Sequence, residues 1–590
     1  MADAASPDRD LDSIREARTL ARQARAAQAR LAELTQEQID KIVDAVAAAA
    51  QAEVEPLARL AVEETGYGNE ADKVKKNRFA AETIYQFIQP MRTVGVIRRL
   101  ETERIVEIAE PFGVVAAVVP STNPTSTAIY KILVCLKARC AVVLSPHPSA
   151  ARSILRVADL LTRAAVGAGA PDGAVSCMTT VTQEGTQELM RSREVALILA
   201  TGGLGLVRAA YSAGKPAYGV GPGNAPAYIE RSADIGKAVS DIITGKTFDN
   251  GVLCSSENSV VVDEAVAGDV RRAFERQGGR FLDPQEAARL AEVLVTPQRL
   301  PNPELVGKSA LEIAARVGIE VPTDTRVLLA TLEGVGRAHP LSMEKLCPVL
   351  SFYEVPDWRA ACARCKEILA YGGMGHTMSI HSGDERIILE FGLQKPAFRI
   401  VVNSPTTLGS IGMTTGLDPS MTLGCGGWGG NITSDNITPR HLLNIKRLAY
   451  ETRPVARPAA ASTSSTAETP PLPEPPPRPT TRGLDANVLS ERIESFLASR
   501  GIAGAAPATA PTETPPPPPA EPAPEERATT PEPATPPVVA TPVDFVCEDD
   551  VRQALREGRQ ILIGDATIIT PAARDLGEPQ RVFTHATLPR

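Results

Sequence analysis

The chain has 590 residues, of which 43% are hydrophobic and 22% charged, with a net charge of -8 and nine cysteines. That length holds two or three domains, and the acidic balance argues against nucleic-acid binding. No apolar run approaches the ~20 residues that span a bilayer. The polar start MADAASPDRDLDS lacks a signal core, and an odd cysteine count suggests no disulfide framework, so a cytoplasmic protein is expected.

Residues 10–65 are alanine-rich with apolar positions at helical spacing. Thr35 followed by Gln38 predicts a capping box at a helix start. Helix continues over 70–90. Residues 93–109 alternate apolar and charged positions, which predicts a β-hairpin. From there an α/β pattern begins. Val114–Val119 is a short apolar run of strand length, followed by a helix from Ser126 to Leu136 and a second strand over 141–144. A helix spans about 150–166, and further strands are expected near 175–178, 195–199 and 217–220. Such alternation predicts a mostly parallel sheet covered on both faces, with ligands at the strands' carboxyl ends. Beyond 260–262, a buried strand, helices are expected at 265–277 and 284–294. Strands follow at 327–331, 349–355 and 398–402. Thr438–Ala449 reads as a last helix with Pro439 in its first turn.

Near residue 453 the composition changes. Between Pro454 and Pro542 lie 23 of the chain's 50 prolines, a composition that cannot bury a core. It is interrupted by 484–502, where Leu489, Ile493, Phe496 and Leu497 form one helical stripe. A lone helix of that length is marginal in water and needs a partner. The partner is either the chain's own folded domain or another protein, and the proline-rich tethers on both sides favour the second. Residues 543–590 predict a helix at 548–557, a turn at Gly558 and two short strands near 561–563 and 567–570, without a strong core of their own.

Several motifs carry chemistry. Cys254 lies in a turn between the loop Phe248-Asp249-Asn250-Gly251 and the apolar strand, where it is either a small buried hydrophobe or a positioned nucleophile. Asn123 follows a strand and can donate to a developing oxyanion or simply form an Asn-Pro turn. Thr201-Gly202-Gly203 opens a helix, as a phosphate-binding loop does, but lacks the complete dinucleotide fingerprint. His376 reads as a satisfied structural histidine. Cys362 and Cys365 form a lone CxxC, which reads as a helix-surface coincidence, and no metal site is expected.

Taken together, EPFGVVAAVVPSTNPTSTAIYK (110–131), SPHPSA (145–150), ILATGGLGLVRAAYSAGKPAYGVGPGN (198–224) and KTFDNGVLCSSENSVVV (246–262) resemble the CoA-acylating aldehyde dehydrogenases. So do EKLCPVLSF (344–352), GHTMSIHS (375–382) and LGCGGWGGNITSDNITPRHLLNIK (423–446). The family includes propionaldehyde and acetaldehyde dehydrogenases of bacterial microcompartments. The resemblance covers about residues 10–450. It implies an α/β aldehyde dehydrogenase fold with a Rossmann-type NAD-binding lobe at 1–245, carrying a hairpin arm at 93–109, and a catalytic lobe at 246–435. Residues 436–452 then return to the cofactor lobe and arm, followed by linkers at 453–483 and 503–542 around the 484–502 helix and a small module at 543–590.

By the same resemblance Cys254 is the nucleophile and Asn123 the oxyanion-hole amide. Thr201, Gly202 and Gly203 lie near the nicotinamide and phosphates of NAD. Ser145, Pro146 and His147 lie near its adenosine half, and Glu344 holds the nicotinamide ribose. The implied reaction takes a short-chain aldehyde, NAD and coenzyme A to an acyl-CoA through a Cys254 thioester. Hydrolytic relatives carry a water-activating glutamate where this chain has Tyr218-Gly219-Val220-Gly221, which favours CoA over water. A hydrolytic dehydrogenase and an inactive scaffold are the alternatives. Residues 484–502 resemble an encapsulation peptide that binds microcompartment shell or cargo proteins. A homo-oligomer, dimer or tetramer, is expected, with neither nucleic acid nor membrane as a partner.

Overall fold

A computed structural model describes residues 7–455, residues 491, 492 and 495, and residues 543–569 and 571–585. Apart from 453–455 and those three single positions, the expected 484–502 helix and both linkers lie outside the described residues. The chain divides into two compact units, 1–460 and 461–590.

The first unit opens on three helices, Pro7–Leu31, Gln36–Ala52 and Val54–Thr65. The Thr35 side chain accepts the Gln38 N–H while Gln38 reaches back to the Thr35 N–H, so the predicted capping box is present. The helix Glu70–Arg78 then runs through a wider π turn, Phe79–Ile84, into Tyr85–Ile88. The predicted hairpin is β1 (Gly95–Leu100) against β2 (Ile105–Pro111).

Two parallel sheets follow. The first is built from β3 (Val114–Val119), β4 (Val142–Pro146), β5 (Val175–Cys177), β6 (Val195–Thr201) and β7 (Ala217–Val220), in the order β5-β4-β3-β6-β7. The chain therefore switches sides between β3 and β6, the crevice where open α/β sheets bind ligands. Lys131, on the buried helix Pro124–Lys137, donates to Val118 O at 2.6 Å and Leu199 O at 2.9 Å, tying those two strand ends together. Burial brings its ammonium down to about 7.

The second sheet contains β8 (Ala225–Ile229), β9 (Glu257–Asp263), β10 (Gly279–Leu282), β11 (Val327–Thr331), β12 (Val349–Val355), β13 (Gly375–His381) and β14 (Ala397–Val402). Its order is β10-β11-β12-β9-β8-β13-β14. Because β8 already belongs to this sheet, the change of sheet falls between Val220 and Ala225, ahead of the lobe boundary expected at 245.

The expected last helix at 438–449 is not one. Pro439–Leu442 makes a single 3₁₀ turn, and the chain then becomes β15 (Leu443–Ala449). β15 pairs antiparallel with all seven residues of β2. The hairpin leaves one edge of β2 open, and its unpaired backbone outweighs a modest helix propensity. Lys446 bonds Glu110 at 2.6 Å and Arg447 bonds Glu107 at 3.1 Å across the ladder. Cys362 and Cys365 do lie on a helix, Trp358–Tyr371, but both are buried in the core, so the helix-surface reading of this pair is corrected.

The second unit is a parallel sheet of β16 (Val543–Val546), β17 (Ile561–Ile569) and β18 (Phe583–His585) with helices at Glu548–Glu557 and Pro571–Gly577. The two short strands expected near 561–570 are one continuous β17. Gly564 does not turn the chain; the pairing with β16 shifts register there, and the Gly564 N–H donates to Thr567 Oγ1 at 2.8 Å. Val546, Val551, Ala554, Ile561, Ile563, Ala573 and Val582 bury a small core.

Thr35→Ala should lower the unfolding free energy by about 1 kcal/mol, the usual worth of an N-cap hydroxyl. The shift in urea midpoint measures it, and an unchanged midpoint would show that the first two helices do not depend on this cap.

Candidate active site

A cleft of about 610 Å³ opens where the carboxyl ends of β3, β4 and β6 face the turn that leads into β9. Its walls include Asn123, Pro146, His147, Thr201, Gly202, Gly203, Cys254 and Glu344. One fold feature thus gathers all but one of the residues that the resemblance assigns to the reaction and its cofactor. Ser145 is the exception: it is buried behind the cleft wall, its hydroxyl 2.8 Å from that of Thr186.

Cys254 sits on the amino side of its strand, after the turn Phe248–Gly251. Asp249 and Asn250 there have φ values of 49° and 54°, uncommon for residues other than glycine. Neighbours hold the turn. The Asp249 N–H donates to Asp72 Oδ2 at 2.9 Å, and Asn250 Nδ2 donates to Gly307 O at 2.8 Å. On the opposite side, the loop after β7 presses against the cysteine: a Cβ on Gly223 would lie 1.9 Å from the Cys254 carbonyl oxygen. Desolvation, with Glu344 and Cys425 nearby, pushes the Cys254 thiol up to about 12, and Arg399 pulls against it. The resting thiol is therefore protonated at neutral pH.

Glu344 is the one carboxylate among the residues lining the cleft. Its Oε1 accepts the Gly223 N–H at 2.9 Å, and burial pushes its carboxyl up to about 8. The stretch Tyr218–Gly221 contributes no carboxylate; Tyr218 turns away to donate to His441 O at 3.0 Å. The cleft's carboxylate is therefore Glu344, engaged with the loop after β7, and not a residue of β7 itself.

The chemistry of the walls fits a dinucleotide. Thr201 ends β6, and its Oγ1 is buried with no hydrogen-bond partner. Gly203 precedes the helix Leu204–Tyr211 with no side-chain cap, and a Cβ there would meet nothing within 4 Å. Free N–H groups at such a helix start suit a phosphate. His147 follows β4 with Nδ1 accepting the Ser149 N–H at 3.2 Å; burial lowers its imidazole below the usual value.

His376 departs from the expectation of a satisfied structural histidine. Nδ1 pairs with Thr377 Oγ1 at 2.9 Å, but Nε2 is buried without a partner. Burial and the neighbouring Arg399 bring its imidazole down to about 3, so the ring is neutral. A Cβ on Gly223 would lie 3.5 Å from its Cδ2, which places it beside the Cys254 main chain. Sequence reasoning also missed Lys73 and Lys76, whose i, i+3 spacing on a polar helix signals only a solvated face.

The aldehyde dehydrogenase family profile matches residues 10–285. The chain is 49% identical to an acetylating aldehyde dehydrogenase from Geobacillus thermoglucosidasius of known structure, which superposes with a TM-score of 0.75 over 76% of this chain and 99% of that one. The chain belongs to the aldehyde dehydrogenase family. It is also 42% identical over 442 residues to a bifunctional aldehyde–alcohol dehydrogenase of Escherichia coli strain K12, covering 74% of this chain and 50% of that protein. It thus spans about half the length of that group of curated relatives. A propionaldehyde dehydrogenase from the Clostridium phytofermentans fucose utilisation bacterial microcompartment superposes with a TM-score of 0.67 at 28% identity, over 74% of this chain and 98% of that one.

Because burial raises the Cys254 thiol, its alkylation by iodoacetamide should climb about tenfold per pH unit from pH 7 to 10 without levelling. Peptide-level mass spectrometry reads the rate at residue 254. A plateau below pH 9 would contradict the protonated resting thiol.

Proposed function

We propose that the enzyme converts a short-chain aldehyde to its acyl-CoA, reversibly, with NAD and coenzyme A. The observation that carries this is one cleft holding a half-buried thiol and an amide that follows β3, with no carboxylate in the stretch Tyr218–Gly221. The likeness to an acetylating enzyme along its whole length supports it.

In this reading the Cys254 thiolate adds to the aldehyde carbonyl. The amide of Asn123 and the main-chain N–H of Cys254 donate to the oxygen as it gains charge. An oxidised nicotinamide bound in the cleft supplies the hydride acceptor, and the carbon that loses hydride remains on Cys254 as a thioester. Thr201 and the N–H groups at 203–205 would hold the cofactor's phosphates, Pro146 and His147 would flank its adenosine half, and Glu344 would hold the ribose. The thiolate of coenzyme A then attacks the thioester carbonyl and expels Cys254 as a thiolate, forming the acyl-CoA; a proton from solvent restores the resting thiol. The thiol of coenzyme A, free in solution, is partly ionised near neutral pH and needs less help than water. Acetaldehyde and propionaldehyde are the default substrates, suggested by the resemblance to microcompartment enzymes and by the structural likeness to one of them. The arm of β1, β2 and β15 serves oligomerisation.

The extension adds a destination. Residues 484–502, with their apolar stripe between proline-rich tethers, act as a peptide that recruits the enzyme to microcompartment shell or cargo proteins.

Steady-state NADH formation should depend on coenzyme A; an equal rate without it would establish hydrolysis instead. Asn123→Ala should lower kcat about 10²–10³-fold, and an unchanged kcat would remove Asn123 from the oxyanion site. Deleting 484–502 should leave kinetics unchanged and abolish co-purification with shell proteins; persistent co-purification would place recruitment elsewhere in the chain.

A further inference from the structure

We propose that Lys76 is a positioning residue for this reaction: it fixes which face of the Asn123 amide is presented to the cleft. The proposal rests on the reading of Asn123 as an oxyanion donor.

Asn123 stands immediately before the helix Pro124–Lys137, the position where an asparagine side chain ordinarily accepts a first-turn N–H. It makes no such bond. Its Oδ1 instead accepts from Lys76 Nζ at 2.6 Å, while its Nδ2 donates to Thr122 Oγ1 at 3.1 Å. The two ends of an asparagine amide are nearly the same size, and only the hydrogen-bond network decides which is which. A lysine ammonium can donate and cannot accept. It therefore holds the carbonyl end toward itself and leaves the amino end, with one N–H beyond the Thr122 bond, for the cleft.

Lys76 is itself held without slack. It is 1% exposed on the helix Glu70–Arg78 and shares the carboxylate of fully buried Asp249 with Lys73, whose Nζ lies 3.0 Å from Asp249 Oδ2. Asp249 Oδ1 also accepts the Asn69 N–H at 2.8 Å. Gly68 makes room for that carboxylate: a Cβ there would lie 1.8 Å from Asp249 Oδ1, and its φ is +72°. Burying three charges costs free energy that packed apolar residues would not, so the cluster is a poor device for stability alone. It does provide a rigid, donor-only group at one specified oxygen.

The test is a double-mutant cycle on the full chain with kcat and KM for the aldehyde. Lys76→Met should lower kcat about 10–10²-fold with little change in KM. In an Asn123→Ala background it should lower kcat less than about threefold, since there is no amide left to orient. Equal losses in both backgrounds would overturn the proposal and leave Lys76 a structural residue. Asn123→Ala with parental kcat would overturn it differently, by removing the reading beneath it. Iodoacetamide alkylation of Cys254 should proceed at the parental rate in Lys76→Met. An altered rate would assign the effect to the nucleophile's turn and contradict the proposal. Should Lys76→Met fail to fold, Lys76→Arg keeps a donor-only cation at the amide. It should retain kcat within about tenfold, and a loss as large as that of Asn123→Ala with normal NAD+ binding would overturn the proposal.

Discussion

A thiol partly removed from water resists ionisation, and half-buried Cys254 is such a group. Desolvation works against the thiolate, and Glu344 and Cys425 add to it; Arg399 is the cation that works for it. The group is thus kept as a stable, protonated thiol until ligands change its surroundings. His376 beside the Cys254 main chain is neutral, and Glu344, pushed up to about 8, is the one carboxyl in the cleft walls. An oxidised nicotinamide carries positive charge, and a nearby positive charge favours the thiolate.

In the proposed reaction the same surroundings bear on where the acyl group would go. A thioester on Cys254 meets few groups able to activate water. Glu344 is already engaged with the Gly223 N–H and is pushed up toward neutrality. Tyr218 and its glycine neighbours offer nothing in its place. Selectivity for a second thiol over water then needs no dedicated recognition device, only the omission of a base and the higher intrinsic reactivity of sulfur. Because the proposed transfer exchanges a thioester for a thioester, little free energy would separate its two sides, which is why the proposal has it reversible.

Much of the fold was legible because its signals are local. The Thr35 capping box, the hairpin at 93–109 and the apolar runs at 114–119 and 195–199 each carry their own pattern. Segments that depend on a distant partner were not. Leu443–Ala449 is a strand only because β2 has an open edge, and Gly564 is a register shift only because β16 lies alongside. The site divides in the same way. The cysteine and the glycine-bounded loops sit in recognisable motifs. Lys73 and Lys76 resemble any two lysines on a polar helix until Asp249, far away in the chain, is folded against them. His376 reads from the sequence as a satisfied structural histidine because sequence does not show whether a buried ring nitrogen finds a partner.

The central claim is that Cys254 carries the acyl group between aldehyde oxidation and thiol transfer. Incubating the enzyme with propionaldehyde and NAD+, with coenzyme A withheld, and mapping peptides by mass spectrometry tests it most directly. The account predicts a propionyl adduct on the peptide containing residue 254 that disappears when coenzyme A is added. An unmodified peptide after a measured burst of NADH would contradict it.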